Sequence, residues 1–365
     1  MFETVTDAAS LDNLCERLRP SDWLGLDTEF VRESTFWARL CLVQVADRNG
    51  IVACVDPLAV PSLAPLFELL TRDGVTTVFH AGGQDLELIH QVGGMLPRTV
   101  FDTQVAAALL GDDDQIGYGA AVEAHVGVTL AKAHTRTDWS RRPLSAAELD
   151  YAADDVRHLP ALYDSLRAEL VERGRLEWAL SESMSYVRPE RYQPDVDGAW
   201  TRVKGVRDLD GTGHAALRAL AAWRERAAMQ HDRPRRWIIG DEQLVTLARE
   251  RPADAAGVAA VPGMPPAVLR KHTGALLETL RDAERAPPVD DATRKAPLDR
   301  ALRGRLEVMM KRIKARGVEL SIAPAMLATR RDCEALLRGE RPSGLFDTWR
   351  RELIGDELAA LAAGG

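Results

Sequence analysis

Hydrophobic and polar positions in the first hundred residues predict a series of short strands. Three apolar runs, WLGLDTEF (23–30), ARLCLVQVA (38–46) and IVACVD (51–56), are typical of buried strands. An Asn-Gly pair between the last two favours a tight hairpin, so we predict three neighbouring antiparallel strands. TTVFH (76–80) and a short segment near 98–102 predict two more strands.

Helical spacing of apolar residues separates and follows these strands. Helices are predicted over 6–18, 61–74, 81–94 and 103–111, and the pattern stays helical to about residue 186. Three antiparallel strands followed by a βαβα arrangement give a mixed five-stranded sheet with flanking helices. This α/β arrangement resembles a ribonuclease H-like fold.

The composition changes after residue 187. Residues 188–212 and 286–297 are aperiodic and rich in Pro and Asp, which indicates linkers. Residues 213–285 and 298–365 are helical by their apolar spacing. We therefore predict a first domain over residues 1–187 followed by two all-α helical modules.

Charge is distributed unevenly along the 365 residues, whose net charge is −8. Residues 1–200 hold 17 Lys and Arg against 32 Asp and Glu, whereas residues 201–365 hold 30 against 23. A basic half indicates a polyanionic partner such as nucleic acid, although two domains with different surface charges would give the same pattern.

Targeting and cysteine patterns predict a cytoplasmic protein. The N-terminus, MFETVTDAAS, lacks the basic and apolar regions of a signal peptide, and no apolar run reaches about 18 residues. Cys15, Cys41, Cys54 and Cys333 are scattered, which favours reduced thiols over a disulfide or zinc framework.

Two acidic residues, Asp27 and Glu29, interrupt the first apolar run. Residues i and i+2 of a strand share a face, so the two carboxylates lie side by side, and burying them unpaired is costly. An exposed edge strand would tolerate them. The same face carries Trp23 and Gly25, which is not a solvated pattern, so the motif favours a metal site.

A third acid, Asp85, falls in the first turn of the helix predicted within FHAGGQDLELI (79–89). An acid at this position commonly complements the helix dipole, which is the simpler explanation. It also follows the carboxyl end of a strand, where sites gather in α/β sheets. His80 is expected to be a core or supporting histidine rather than a ligand.

The fourth acid, Asp155, lies in LSAAELDYAADDVRHL (144–159). Ser145 and Glu148 form a capping box that predicts the start of a helix. Tyr151 lies four residues before Asp155, so the two share a helix face. A core tyrosine beside an exposed acid would give the same spacing.

Together and in this order, the acids resemble the catalytic motifs of the DEDD exonuclease superfamily. Its pattern is DxE in a first strand, an Asp about 60 residues on, and YxxxD in a late helix; the tyrosine marks the tyrosine subtype. LDTEF, LCLVQVAD, FHAGGQDLE, FDTQVAAALLG, TRTDWSRRPLS and YAADDV further resemble the ribonuclease D family in order and spacing, over about residues 20–180.

The helical modules fit this resemblance. AALRALAAWRERAAMQHDRPRRWIIGDEQLVTLA and PGMPPAVLRKH, within about residues 213–283, resemble the HRDC domain, a helical nucleic-acid-binding domain. Residues 298–365 are similar in size and helicity but lack the RPRRW-like turn. We interpret them as a degenerate second HRDC-like module.

The resemblance implies a metal-dependent 3′–5′ exoribonuclease that releases 5′-nucleoside monophosphates, in tRNA 3′-end maturation or RNA decay. It implies two divalent ions, Mg²⁺ or Mn²⁺, with Tyr151 orienting the attacking water. The implied metal ligands are Asp27, Glu29, Asp85 and Asp155. The implied partner is RNA with a free 3′ end, tRNA precursors among them, bound by a monomer without an obligate protein partner or a membrane.

Basic and aromatic residues near the motifs are candidate RNA contacts. Phe30, directly after Glu29, would either wedge against the terminal base or pack in the core. Trp237 is expected in the core, and Asp102 in a structural role. The basic candidates, each of which could equally belong to a solvated face, are Lys132, Arg136, Arg141, Arg142, Arg233, Arg235, Arg236, Arg270 and Lys271.

Two alternative functions stay open at this point. A 3′–5′ DNA exonuclease of the proofreading kind would use the same carboxylates, and a non-catalytic RNA-binding scaffold would keep the fold. The ribonuclease D-like segments and the helical modules favour RNA. The presence of all four carboxylates and Tyr151 favours catalysis.

Overall fold

A mixed six-stranded sheet carries the N-terminal half of the chain in the computed structural model, which describes residues 1–130, 137–206, 209–285 and 298–364. The order across the sheet is β1-β4-β3-β2-β5-β6. The sequence predicted five strands and missed β1, whose three residues are too few to show an alternating pattern. The strands are β1 (Glu3–Val5), β2 (Trp23–Val31), β3 (Arg39–Ala46), β4 (Val52–Val55), β5 (Thr76–Phe79) and β6 (Val100–Asp102).

The strands pair in both directions. β3 runs antiparallel to β4, whereas the pairs β1–β4, β2–β5 and β5–β6 are parallel. At the predicted Asn-Gly hairpin, the Asp47 carboxylate accepts hydrogen bonds from the backbone N–H groups of Asn49 and Ile51, both at 2.9 Å. Gly50 adopts φ +90°, a conformation that glycine takes without strain. In the order across the sheet, β2 lies in the interior, between β3 and β5.

Eight helices flank this sheet in the described part of residues 1–192. α1 begins after Asp7, whose side chain accepts a hydrogen bond from the Ser10 N–H, and it buries Leu11, Leu14 and Leu18 at helical spacing. The helices are α1 (Ala8–Leu18), α2 (Ala64–Leu70), α3 (Gly83–Gly93), α4 (Thr103–Leu110), α5 (Tyr118–Val126), α6 (Ala146–Arg157), α7 (Leu159–Glu172) and α8 (Leu176–Met184).

The chain forms two compact units. The first contains residues 1–31, 40–192 and 298–365, and the second contains residues 32–39 and 193–297. The units divide the chain differently from the predicted domains. Residues 193–212 of the predicted first linker belong to the second unit, and residues 298–365 belong to the first. The predicted linker over 286–297 lies outside the described residues.

The second unit is helical and centres on α9, which packs against α11 and α13. Its core includes Ala199 and Val203, which lie in the segment 188–212 predicted as a linker. A short 3₁₀ helix, Ala199–Arg202, begins at the first of them and ends just before the second, and a single such turn gives no apolar period in the sequence. The helices are α9 (Gly211–Gln230), α10 (Arg235–Ile238), α11 (Asp241–Glu250), α12 (Ala255–Ala260) and α13 (Pro266–Arg285).

The C-terminal helices belong to the first compact unit. Ile313 and Leu327 share a core cluster with residues of the sheet and of α4. The Arg175 guanidinium donates hydrogen bonds to the carbonyls of Leu109, at 2.7 Å, and Leu320, at 2.6 Å. The helices are α14 (Arg300–Leu320), α15 (Pro324–Leu327), α16 (Arg330–Leu337), α17 (Ser343–Phe346) and α18 (Asp356–Ala363), with a π-helical turn at Arg351–Gly355.

All four cysteines are free, buried thiols, as predicted. Within the described ranges, each helix is too short or too polar to span a bilayer.

Candidate active site

The first two carboxylates lie in the part of β2 that follows its ladder with β5. That ladder runs from Trp23 opposite Thr76 to Gly25 opposite Val78, and Asp27 and Glu29 come directly after it. Both acids are half-buried. A Cβ on Gly25 would lie 3.1 Å from both the Trp23 and Leu159 side chains, so a small residue suits this part of the strand.

The turn between β5 and α3 positions Asp85. Ala81 adopts φ +60°, and a Cβ on Gly82 would lie 2.5 Å from the Phe79 Cβ, so the turn requires glycine there. The Asp102 carboxylate accepts hydrogen bonds from the N–H groups of Ala81, at 3.0 Å, and Gly82, at 2.9 Å. Asp102 also caps α4, so it has the structural role expected from the sequence.

Asp85 lies in the first turn of α3, as predicted, and its side chain is buried. It accepts a hydrogen bond of 2.5 Å from the Thr28 hydroxyl, between the two acids of β2. Burial raises the pKa of the Asp85 carboxyl to about 6, although the hydrogen bond from Thr28 lowers it. Sequence reasoning missed Thr28, because a threonine in a strand has no distinctive signal.

The third motif lies on α6, which begins with the predicted capping box of Ser145 and Glu148. Tyr151 and Asp155 are one turn apart, and the Tyr151 hydroxyl donates a hydrogen bond to the Asp155 carboxylate. The Trp139 ring stacks on the Tyr151 ring with centroids 6.3 Å apart. Trp139 is buried.

Three of the four predicted carboxylates meet. One oxygen from each of Asp27, Glu29 and Asp155 lies within 4.8 Å of the other two, close enough to bind one ion. Asp85 is not part of this tightest group, although its charge raises the pKa of both Asp27 and Glu29. The donor set consists of carboxylate oxygens, which suit hard divalent cations such as Mg²⁺ and Mn²⁺.

The electrostatics of the cluster favour a bound cation. Burial raises the pKa of Asp27 well above its usual range, and the charges of Asp85, Asp155 and Glu29 add to the effect. Burial and the same kind of repulsion raise the pKa of Glu29 to about 8. Burial and the charge of Asp154 raise the pKa of Asp155 to about 7. Without a cation, this site therefore holds protons near neutral pH.

Tyr118 lies near the carboxylates and packs against His80. His80 is held by the Thr103 hydroxyl and the Ile116 carbonyl, both at 2.9 Å, which gives it the supporting position expected for it. Its ring lies edge-on to Tyr118, 5.6 Å away. The charges of Asp155 and Asp27 contribute to raising the pKa of Tyr118, so this residue also lies near the site. No motif in the sequence marks Tyr118.

The predicted RNA contacts near the carboxylates differ in their availability. Phe30 is half-buried at the end of β2. Arg141 pairs with Glu148 at 2.9 Å. Arg142 pairs with Asp56 at 2.6 Å and donates to the Cys41 carbonyl. The predicted contacts Lys132 and Arg136 lie outside the described residues.

The basic candidates of the second unit are also unequal. Arg235 forms an ion pair with the buried Glu225, so its guanidinium is already engaged. Arg236 is exposed, and Arg233 lies 6.0 Å from the centre of the Trp237 ring. The expectation that Trp237 belongs to the core was wrong, because 62% of it is exposed. The two remaining candidates, Arg270 and Lys271, are exposed on α13.

Comparisons with known proteins agree with this geometry. Residues 2–171 match the family described as 3′–5′ exonuclease, and residues 214–280 match the HRDC domain. The first range contains β2, α3 and α6, which carry all four predicted carboxylates. The second range contains most of α9 to α13.

Full-length relatives are also found. Ribonuclease D of Zymomonas mobilis is 38% identical, with 99% of this chain and 94% of the relative covered. Ribonuclease D of Acidiphilium cryptum is 37% identical, with 99% and 93% covered. The crystal structure of Escherichia coli RNase D, described as an exoribonuclease involved in structured RNA processing, matches with a TM-score of 0.86 and 29% identity, over 100% of this chain and 99% of that one.

Proposed function

The chain belongs to the ribonuclease D family and is a metal-dependent 3′–5′ exoribonuclease, and from that premise we propose how its own residues carry out the reaction. Asp27, Glu29, Asp85 and Asp155 hold the divalent ions. The observation that carries this proposal is the convergence of oxygens from Asp27, Glu29 and Asp155 within 4.8 Å, in a site where burial and the charges of nearby carboxylates raise their pKa values.

The proposed cofactors are two Mg²⁺ or Mn²⁺ ions. When bound, such ions supply the activation of water and the charge neutralisation that phosphodiester hydrolysis requires. Asp27 and Glu29 present oxygens from one face of β2, and Asp155 presents its oxygen from α6. Asp85, on α3, accepts a hydrogen bond from Thr28 of β2. Four carboxylates match the charge of two divalent ions, which supports the number.

Tyr151 orients the attacking water in this proposal. Burial raises the pKa of its phenol well above the ordinary range, so the hydroxyl keeps its proton at neutral pH and does not act as a base. Its ring is held by Trp139 and its proton is donated to Asp155, which fixes the phenol oxygen as an acceptor for the water at the edge of the carboxylate cluster. We expect 5′-nucleoside monophosphates as the products.

The proposed substrate is RNA with a free 3′ end, including tRNA precursors, and the proposed role is tRNA 3′-end maturation or RNA decay. A cytoplasmic monomer without an obligate protein partner fits this role. Among the predicted RNA contacts, Arg233, Arg236, Arg270 and Lys271 have the best support, since all four are exposed. Phe30, Lys132, Arg136, Arg141, Arg142 and Arg235 remain proposed contacts that would act nearer the reacting end or after rearrangement of their ion pairs.

The test is a time course on 5′-labelled single-stranded RNA and on DNA of the same sequence. Each reaction contains Mg²⁺, Mn²⁺ or EDTA, and Asp155→Asn is tested beside the wild type. We expect a ladder of one-nucleotide steps on RNA that disappears with EDTA and in Asp155→Asn. RNA binding should persist in the variant, because its side chain keeps nearly the same shape.

Other outcomes would change the proposal. A ladder on DNA that is as fast as that on RNA would favour a DNA exonuclease. Bound RNA that is never shortened would favour a non-catalytic scaffold. Unchanged turnover in a folded Asp155→Asn protein would remove Asp155 from the metal site.

A further inference from the structure

The connection between β2 and β3 belongs to a different unit from the strands that it joins. The first unit contains the chain up to Val31 and again from Leu40, whereas residues 32–39 belong to the second unit. Glu29, a proposed metal ligand, precedes this connection by only three residues. The strand that carries two proposed metal ligands therefore continues directly into a segment that the helical unit holds.

Apolar packing holds the middle of the connection. Phe36 is only 9% exposed and belongs to the core of the second unit, with Leu217 and Val245 among its members. Trp37 packs against the same core, and its ring lies edge-on to Phe36 with centroids 4.9 Å apart. Burial of the Phe36 side chain and partial burial of the Trp37 side chain stabilise this arrangement.

Asp232 fixes the backbone of the connection. One oxygen of its carboxylate accepts hydrogen bonds from the N–H groups of Phe36, at 2.9 Å, and Trp37, at 3.0 Å. Asp232 adopts φ +45°, a left-handed conformation that Asp, Asn and Gly tolerate better than other residues. This conformation places an acceptor against two consecutive donors in the turn after α9.

Two arginines also contact the connection 32–39. Arg235 lies over the Phe36 ring, 4.6 Å from its centre, and the buried carboxylate of Glu225 holds its guanidinium at 2.6 Å. Arg233 donates to the Ser34 carbonyl at 3.5 Å. The connection is thus held by burial, by backbone hydrogen bonds and by a cation over an aromatic ring.

We propose that Asp232 is a positioning residue for the active site, which acts through the connection 32–39 on Glu29. The ladder between β2 and β5 ends at Gly25, so β5 no longer pairs with the part of β2 that carries Asp27 and Glu29, whereas β3 is the neighbour of β2 on the other side. Fixing the chain shortly after Glu29 narrows the positions that its carboxylate samples. This inference rests on the proposed role of Glu29 as a metal ligand.

The experiment compares Asp232→Gly with Asp232→Asn in the full-length protein. Both substitutions tolerate φ +45°, but only Asn keeps an oxygen acceptor for the two N–H groups. We measure the Mn²⁺ concentration at the midpoint of metal-induced thermal stabilisation, and kcat and KM for a short single-stranded RNA. For Asp232→Gly we expect a weaker Mn²⁺ midpoint and a lower kcat, each by about fivefold to tenfold, the effect of one or two lost hydrogen bonds. Asp232→Asn should stay close to the wild type.

Phe36→Ala is the second variant, and its loss of packing should lower kcat in the same direction. Arg249→Ala, an exposed substitution in the second unit, is the matched control and should change neither quantity. A Gly variant with a lower unfolding temperature but unchanged kcat and Mn²⁺ midpoint would overturn the proposal, because it would show a purely structural role. Equal defects in the Asn and Gly variants would also overturn it. If the wild type itself shows no metal-dependent hydrolysis, the proposed function fails, whereas an active wild type with an unaffected Gly variant rejects only this inference.

Discussion

The Tyr151 hydroxyl donates a hydrogen bond to Asp155, whose carboxylate belongs to the tightest cluster of acids in the described residues. This hydrogen bond lowers the pKa of Asp155 against the effect of burial. The same relationship keeps the phenol protonated, since the Asp155 charge is among the causes that raise the pKa of Tyr151. The pair therefore supplies both a metal ligand in its charged form and a phenol oxygen held in place beside it.

Tyr151→Phe separates these two contributions. The substitution keeps the ring that stacks on Trp139 and removes only the hydroxyl. We expect single-turnover hydrolysis of RNA to slow by about 10²-fold or more, the usual effect of losing a positioned group near a transferred proton. The Mn²⁺ midpoint should shift by less than the rate, because all four carboxylates remain.

Tyr163→Phe is the matched control, since Tyr163 is a buried residue of α7 and the substitution likewise removes only a tyrosine hydroxyl. Its rate should stay close to that of the wild type. A Tyr151→Phe enzyme with wild-type turnover would show that the hydroxyl has no role in positioning water.

The raised pKa values of the cluster predict how stability depends on pH. In the unfolded chain these carboxyls have pKa values of about 4. In the folded protein without metal they rise to about 6 for Asp85, about 7 for Asp155 and about 8 for Glu29. Protonated carboxyls therefore stabilise the fold fully below about pH 4, and this contribution is lost as the pH rises through 6 to 8.

With EDTA present, we expect the unfolding temperature to fall between pH 5 and pH 8. Stabilisation by Mn²⁺ should increase over the same range, because the ion replaces protons on the carboxylates. Thermal unfolding measured across this range with and without Mn²⁺ tests both trends. Glu29→Gln should flatten the EDTA profile, and a profile as steep as that of the wild type would contradict the assigned cluster.

The positions of Asp27, Glu29, Tyr151 and Asp155 on their strand and helix could be predicted because these residues lay in regular local patterns. Asp27 and Glu29 followed the two-residue period of a strand, and Tyr151 and Asp155 followed the turn of a helix that a capping box had marked. Local periodicity fixes which side chains share a face. It cannot show that Thr28 would bond to Asp85, a contact between residues 57 positions apart.

Errors arose where tertiary packing decides the outcome. Trp237 was expected in the core because large aromatic residues usually are buried, but it lies in a short helix whose buried residue is Ile238. The helices of residues 298–364 were recognised by period, yet their apolar faces pack on α4 and α8 rather than on one another alone. A single sequence gives the apolar face of a helix but not the surface that covers it.

Arg236 and its neighbour Arg235 are predicted to behave differently although both are basic. Arg236→Ala should weaken RNA binding in EDTA and make binding less dependent on salt by about one phosphate contact. Arg235→Ala should instead lower the free energy of unfolding by about 1–3 kcal/mol, because it leaves the buried Glu225 with the longer ion pair to Arg202, at 3.7 Å, and without the hydrogen-bonded one to Arg235.

Binding isotherms at several salt concentrations and urea denaturation of both variants test this contrast. Arg249→Ala again serves as the exposed control. A loss of RNA affinity in Arg235→Ala without loss of stability would show that its guanidinium leaves Glu225 to contact RNA. Unchanged affinity in Arg236→Ala would remove this residue from the proposed contacts.

Ile313 tests whether the C-terminal helices are an integral part of the first unit. Its side chain is almost fully buried in the cluster that also contains residues of the sheet, so Ile313→Ala should cost about 2–5 kcal/mol. Val308→Ala, on the exposed face of the same helix, should change stability by no more than about 0.5 kcal/mol. Because one core is shared, the Ile313 variant should lower the same thermal transition that Mn²⁺ raises. A separate transition at lower temperature, with the metal-sensitive one unchanged, would mean that residues 298–364 unfold independently of the active site.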